Sequence, residues 1–127
     1  MPAVLVVDDD LNQRLLYAQE LREVGYEVLL ASSGPEALQI VTSQKVDVVV
    51  LDIAMPGMDG VEALTRLLDL DRQLPVILNT AYANFRHDFM TWAAEAYVVK
   101  SSDLAELIQH VAEACRKRGV ELPPQPS

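Results

Sequence analysis

Five short apolar runs recur about every 20 residues along the chain: Ala3–Val7, Glu27–Ala31, Val46–Leu51, Val76–Asn79 and Ala96–Val99. They are rich in Val, Ile and Leu, and several lack the in–out alternation of a half-solvated strand. Strands of that kind have to be covered on both faces. The intervening segments carry the means to cover them. Leu11, Leu15, Ala18 and Leu21 fall on one helical face, as do Val61, Leu64, Leu67 and Leu68. Leu104, Leu107, Ile108, Val111 and Cys115 form the cleanest stripe. Ser33 with Glu36, Asp59 with Glu62 and Asp103 with Glu106 each set a capping oxygen three residues before a carboxylate, marking helix starts. Gly25 and Gly119 suit helix C-termini.

This alternation predicts an α/β fold of five βα units, a doubly wound parallel sheet with right-handed crossovers and helices on both faces. Two strand orders are common for such sheets. The order 3-2-1-4-5 would leave Val46–Leu51, the longest run, at an edge. The order 2-1-3-4-5 puts it in the middle and the shorter Glu27–Ala31 outside, and is the one expected. Residues 120–127 (VELPPQPS) are proline-rich and without period. The domain is therefore expected over 1–119, with a tail or the start of a linker after it.

Composition narrows the partners. With 10 Lys+Arg against 19 Asp+Glu the chain carries a net charge of −9, which argues against binding a phosphate backbone. No apolar run approaches the ~18–20 residues that span a bilayer. The N-terminus lacks the basic and long apolar segments of a secretory signal, so a cytoplasmic location is expected. Cys115, the single cysteine, excludes an internal disulfide and suits a reducing compartment.

In a 2-1-3-4-5 sheet the crossover direction reverses between strands 1 and 3, so a crevice opens over their carboxyl ends. Asp8 and Asp9 follow strand 1 there, Asp52 follows strand 3, Thr80 follows strand 4 and Lys100 follows strand 5. An Asp after a strand is as often a helix cap as a ligand, which applies to each of Asp8, Asp9 and Asp10 alone. Three carboxylates in one crevice are another matter. At about 4 Å each like-charge pair repels by ~1 kcal/mol in water and ~4 kcal/mol at an effective dielectric of 20. Such a cluster calls for a cation, and a few hard oxygen ligands in an open crevice favour Mg²⁺.

The chain resembles the receiver domain of two-component response regulators, through VLVVDDD at 4–10, VDVVVLDIAMPGMDG at 46–60, PVILNTAY at 75–82 and AYVVK at 96–100. The likeness runs over residues 3–118, and LDIAMPGMDG is its most specific part. It implies a flavodoxin-like fold and a phospho-acceptor switch rather than an enzyme acting on a separate substrate. Position by position, Asp52 resembles the phosphorylated aspartate, and Asp9 a direct Mg²⁺ (or Mn²⁺) ligand with Asp8 nearby or acting through water. The backbone carbonyl of Ala54 matches a further ligand. Thr80 matches the hydroxyl and Lys100 the ammonium that meet the phosphoryl group. Tyr97 matches the aromatic switch that follows Thr80, and Ala54 and Tyr82 the positions that gate water. The resemblance also implies a sensor histidine kinase or histidine phosphotransfer protein as donor. It places the output on the face of the fourth helix, fifth strand and last helix, towards an effector that the sequence leaves unnamed. A homodimer is compatible with it; nucleic acid and membrane are not expected partners.

Two departures stand out. Ser101 follows Lys100 where the family usually has Pro, so a trans bond is expected, since a cis bond before a non-proline residue costs about 2.5–4 kcal/mol. The stretch from Thr80 to Lys100 is also slightly short, so the fourth helix, through Phe85, Phe89, Trp92 and Ala93, is expected to be truncated or reoriented.

Two rival readings remain. A haloacid-dehalogenase-like phosphohydrolase would use Asp8 of Asp8-Asp9-Asp10 as nucleophile, but Asn12 stands where that family wants Thr or Val. A receiver-like adaptor working without phosphorylation would not need the complete set of pocket residues found here.

Overall fold

Each apolar run becomes a strand, and the strands pair in parallel as their burial on both faces demands. The computed structural model of the protein describes residues 1–52, 60–81, 94–101, 103–120 and 122. Strands β1 (Ala3–Val7), β2 (Glu27–Ala31), β3 (Val48–Leu51), β4 (Val76–Thr80) and β5 (Ala96–Val99) lie in the order β2-β1-β3-β4-β5. Among the described residues there are four helices: α1 (Leu11–Val24), α2 (Gly34–Ser43), α3 (Gly60–Leu70) and α4 (Ala105–Arg118). None is long and apolar enough to cross a membrane.

The sheet divides the core in two. Val4, Val6, Val48, Val50, Ile77 and Val98 face α1 and α4, meeting Tyr17, Ala18, Leu21, Leu107 and Val111. Leu5, Val7, Val49, Leu51, Leu78 and Tyr97 face α2 and α3, meeting Ala37, Ala63, Leu64 and Leu67. Because strand side chains alternate with a period of two, the first residues past β1, β3 and β5 continue the α1–α4 face. Those residues are Asp8, Asp52 and Lys100. The fold thus sends them to one side of one edge.

Several local expectations need correction. Leu11 and Leu15 are 57% and 51% exposed, and Leu16 is exposed too. The buried side of α1 is instead Tyr17, Ala18 and Leu21, flanked by a half-buried Arg14. A count of purely apolar residues passed over Arg14 and Tyr17, whose long stems pack while their polar tips find partners. β3 begins at Val48, two residues later than expected. The buried Asp47 accepts the Ala3 N–H at 2.8 Å and donates its own N–H to the Ala3 carbonyl at 2.8 Å, so a carboxylate closes the ladder there. β4 runs one residue further, to Thr80, which pairs with Val99.

Ser33 caps α2 as expected, its hydroxyl accepting the Glu36 N–H at 3.3 Å, while the Glu36 carboxylate takes the Ser32 hydroxyl. Asp103 does not cap towards Glu106. It accepts the Ala105 N–H at 3.0 Å, and Leu104 is the N-cap of α4 with no side-chain bond. Gly25 and Gly119 close α1 and α4 with φ of 113° and 78°, the left-handed region that glycine enters without strain. The Lys100–Ser101 bond is trans. Val120 and Leu122, assigned by sequence to the tail, pack against the α1–α4 core. Ala54, Asp59, Tyr82 and the expected short helix through Phe85, Phe89, Trp92 and Ala93 lie outside the described residues.

Cys115 is fully buried on the inner face of α4, and burial, with the Asp47 carboxylate adding to it, pushes its thiol up to about 11. At pH 8 the folded thiol is therefore expected to react with an aromatic disulfide reagent about a hundredfold more slowly than in urea, before access is counted. Equal rates in the two states would show that α4 does not pack as described.

Candidate functional site

The carboxyl edge of β1 turns sharply into α1, and the three consecutive aspartates divide the work. Asp10 is the N-cap of α1, its carboxylate accepting the N–H groups of Asn12 and Gln13. That is the capping role an Asp after a strand is expected to fill, and it leaves Asp8 and Asp9 for the crevice. Asp8 is buried; its N–H donates to the Ala31 carbonyl at 3.1 Å, and its Oδ1 accepts the Asp10 N–H at 2.9 Å. The Arg14 guanidinium reaches back from α1 to the Asp8 carbonyl at 2.7 Å. The Asp8 main-chain oxygen and Oδ1 are thereby oriented by the helix that follows and by its N-cap residue.

Asp52 leaves β3 with its N–H donating to the Val7 carbonyl at 3.0 Å, so its position is locked to β1. It is only 6% exposed. One carboxylate oxygen each from Asp8, Asp9 and Asp52 lie within 4.8 Å of one another, with Asp9 exposed at the mouth. Lys100 supplies the compensating charge. Its Nζ donates to Asp8 Oδ2 at 2.8 Å and to Asp52 Oδ2 at 3.0 Å. Its backbone N–H donates to the Thr80 carbonyl at 2.6 Å, which extends the β4–β5 ladder by one bond and aims the side chain into the crevice. Burial alone would lower the ammonium's pKa, but the hydrogen bonds and charges of Asp8 and Asp52 outweigh it and hold Lys100 above its ordinary value.

Thr80 is fully buried at the end of β4, and Tyr97 is buried within the α2–α3 core cluster beside Leu78 and Ala94. The structure therefore brings together Asp8, Asp9, Asp52 and Lys100 in direct contact or within one cation's span. Thr80 lies at the same edge, and Tyr97 sits three residues earlier on β5, turned to the opposite face.

Some polar residues around the site went unread in the sequence. Arg14 holds the Asp8 carbonyl. Asn79, buried at 3% exposure, interrupts an otherwise apolar strand, and the Tyr17 hydroxyl donates to Gln13 Oε1 at 2.6 Å beside it. The signal available was Asn79 itself, a carboxamide in a run that both layers of helices cover.

As a ligand set the three carboxylates suit a hard divalent cation: oxygen donors, two of them buried, on backbones tied to the sheet. The chain matches the family model of the response regulator receiver domain over residues 4–112. The transcriptional regulatory protein PrrA of Mycobacterium bovis is 40% identical over 120 residues, which cover 93% of this chain and 52% of that protein. The chain thus spans about half the length of that curated relative. Among solved structures, the response regulator TrrA of Thermotoga maritima in complex with Mg²⁺-BeF superposes with a TM-score of 0.86 at 43% identity, covering 90% of this chain and 99% of that one. A structure of TrrA in complex with the histidine kinase ThkA gives a TM-score of 0.83 at 43% identity, covering 90% and 98%.

Proposed function

Since the chain belongs to the response regulator receiver domain family of two-component signalling, we propose that Asp52 accepts a phosphoryl group from a phosphohistidine donor. The donor's P–N bond breaks with its electron pair returning to the imidazole, and a P–O bond forms to an Asp52 carboxylate oxygen. One observation carries this reading: a buried carboxylate, Asp52, held between a lysine ammonium and two further acids at the switch point of the sheet.

Phosphoryl transfer asks the protein for alignment and charge compensation more than for covalent help. Asp52 is aligned by its N–H bond to Val7 and by the Lys100 contact. An ammonium has three donors, of which two go to Asp8 and Asp52, so the third is available to a phosphoryl oxygen. Asp8, Asp9 and Asp52, with the Ala54 carbonyl, would hold Mg²⁺, which supplies charge neutralisation on the acceptor and the phosphoryl oxygens when bound. Thr80 contributes its hydroxyl to the same group. Tyr97 reads the event out, since its neighbour across the β4–β5 ladder is Leu78 and any shift of Thr80 is felt on that strand. Tyr82 and Ala54 are assigned the control of water access.

The test is incubation with Mg²⁺ and a small phosphodonor, followed by intact-mass measurement and peptide mapping. One added phosphoryl group on Asp52 is expected. Labelling of Asp8 instead would favour a haloacid-dehalogenase-like hydrolase, and cation binding with no uptake would favour a phosphorylation-independent adaptor.

A histidine kinase is the donor class this surface suits. Leu11, Leu15 and Leu16 form an exposed apolar patch on α1, directly after the acidic loop. Leu15→Asp is expected to weaken transfer from a histidine kinase or phosphotransfer protein roughly thirtyfold, about the ~2 kcal/mol of one buried leucine. Labelling by a small donor should be untouched. Equal losses with both donors would remove the patch from the interface.

A further inference from the structure

The edge of the sheet away from the aspartates carries the opposite charge. There Leu74 and Pro75 lead into β4, Glu95 leads into β5, and the last turn of α4 brings Lys117 and Arg118. Between them lies a cavity of about 450 Å³, a size suited to a small molecule. The buried Leu74, Pro75 and Ala114 give it an apolar floor, and Arg72, Lys117 and Arg118 line it with cations. A second cavity of about 340 Å³ shares Leu74 and Arg118 with it and adds Lys45 and Asp71. Four of the chain's ten Lys and Arg residues line the two cavities, against two of its nineteen Asp and Glu residues. That local surplus of positive charge sits in a chain whose net charge is −9.

The ion pairs here leave donors to spare. Arg118 Nη2 meets Asp71 Oδ2 at 2.9 Å, which fixes the guanidinium in the wall that both cavities share. Its Nη1 is buried and has no hydrogen-bond partner among the described residues. A buried N–H without an acceptor is costly, so the guanidinium gains by turning that edge towards an anion's oxygen. Lys117 Nζ meets Glu95 Oε1 at 2.6 Å, but its side chain is 71% exposed and keeps two further donors. Arg72 is exposed and has no ion pair among the described residues. Arginine's planar fork and lysine's ammonium are the groups that bind phosphate oxygens best. We propose that this cavity binds a phosphate monoester, with its head among Arg72, Lys117 and Arg118 and its organic part on Leu74, Pro75 and Ala114. Such a head carries a charge of about −1.5 to −2 at pH 7, which the local surplus matches. The site is separate from the Asp52 crevice, and its occupancy does not depend on phosphoryl transfer.

The test is a titration of the full isotope-labelled chain with phenyl phosphate, without divalent cation, read by amide NMR shifts. Saturating shifts with a Kd of about 1 mM are expected at Gln73, Glu95, Lys117 and Arg118. Inorganic phosphate, which lacks the floor contact, should bind about tenfold more weakly. Arg72→Gln/Lys117→Gln, on two exposed side chains, should weaken phenyl phosphate about tenfold and leave the rest of the spectrum in place. Glu95→Gln removes the cavity's own carboxylate and should tighten binding about threefold, which decides the matter should the double variant fail to fold. Shifts that do not saturate, that potassium chloride reproduces at equal ionic strength, or that gather at Asp8, Asp9 and Asp52 overturn the proposal. So does an affinity that neither variant changes.

Discussion

Asp52→Ala is expected to take up no phosphoryl group at all under conditions that label the wild-type chain completely, as read by intact mass. The acceptor oxygen is gone, and its neighbours cannot replace it. Asp8 Oδ1 is engaged with the Asp10 N–H and Oδ2 with Lys100, while Asp10 is spent on the cap of α1. Asp9 is exposed at the mouth, and no backbone tie comparable to the Asp52–Val7 bond is found for it among the described residues. The variant should fold normally. Removing one of three clustered acids relieves repulsion, and Lys100 keeps its 2.8 Å bond to Asp8. A melting temperature at or slightly above wild type is therefore expected, which separates loss of chemistry from loss of structure. Full labelling of Asp52→Ala would place the acceptor elsewhere.

Lys100→Met carries the largest expected effect on stability. Lys100 sits between two carboxylates whose side chains are 3% and 8% exposed. Removing the cation leaves both buried without it, a change that costs about 3 kcal/mol at neutral pH in the absence of divalent cation. Added Mg²⁺ should restore more stability to the variant than to the wild type, because the variant's acids have no competing ammonium. The pH dependence has a definite sign. The folded state raises the Lys100 pKa above its ordinary 10.5, so the stabilisation is fully present below that value and is lost as pH rises through the folded pKa. The gap between wild type and variant, measured by urea unfolding, should accordingly be widest near neutrality and close above pH ~10.5. A gap that stays constant into strong alkali would mean that the ion pairs contribute nothing.

The strand plan was legible because it rests on local chemistry that has one outcome. Runs such as Val4–Val7 and Val48–Leu51 cannot lie at a surface, and burial on both faces admits few arrangements. The 2-1-3-4-5 order followed from asking which run most needs to be central, and the structure has that order. The acids of the site were readable for a similar reason: strand periodicity carries Asp8, Asp52 and Lys100 to the same face of the same edge. Their assigned roles as acceptor, ligand and counter-ion are the proposals tested above.

Less was readable where a residue's partner is distant in the chain. Asp47 looked like a strand residue because nothing local shows that Ala3 will claim its carboxylate 44 residues away. Tyr17 and Arg14 went unread on α1, and Leu11 and Leu15 were expected on its buried side, where the structure leaves them exposed. The rotation of that helix about its axis depends on how Asp10 caps it and on what the sheet offers beneath, not on its own hydrophobic count. Asp103 lost its expected cap because the turn before α4 places Leu104 at the boundary.

The chain's own order of residues thus determined the element types, the strand order and the edge at which charge collects, since each depends on periodicity and on the cost of exposing aliphatic surface. Tertiary structure alone decided which aspartate caps and which faces the crevice, and that Lys100 bridges Asp8 and Asp52. The bridge turns on hydrogen-bond geometry between side chains many residues apart, and only the packed sheet brings such partners within about 3 Å.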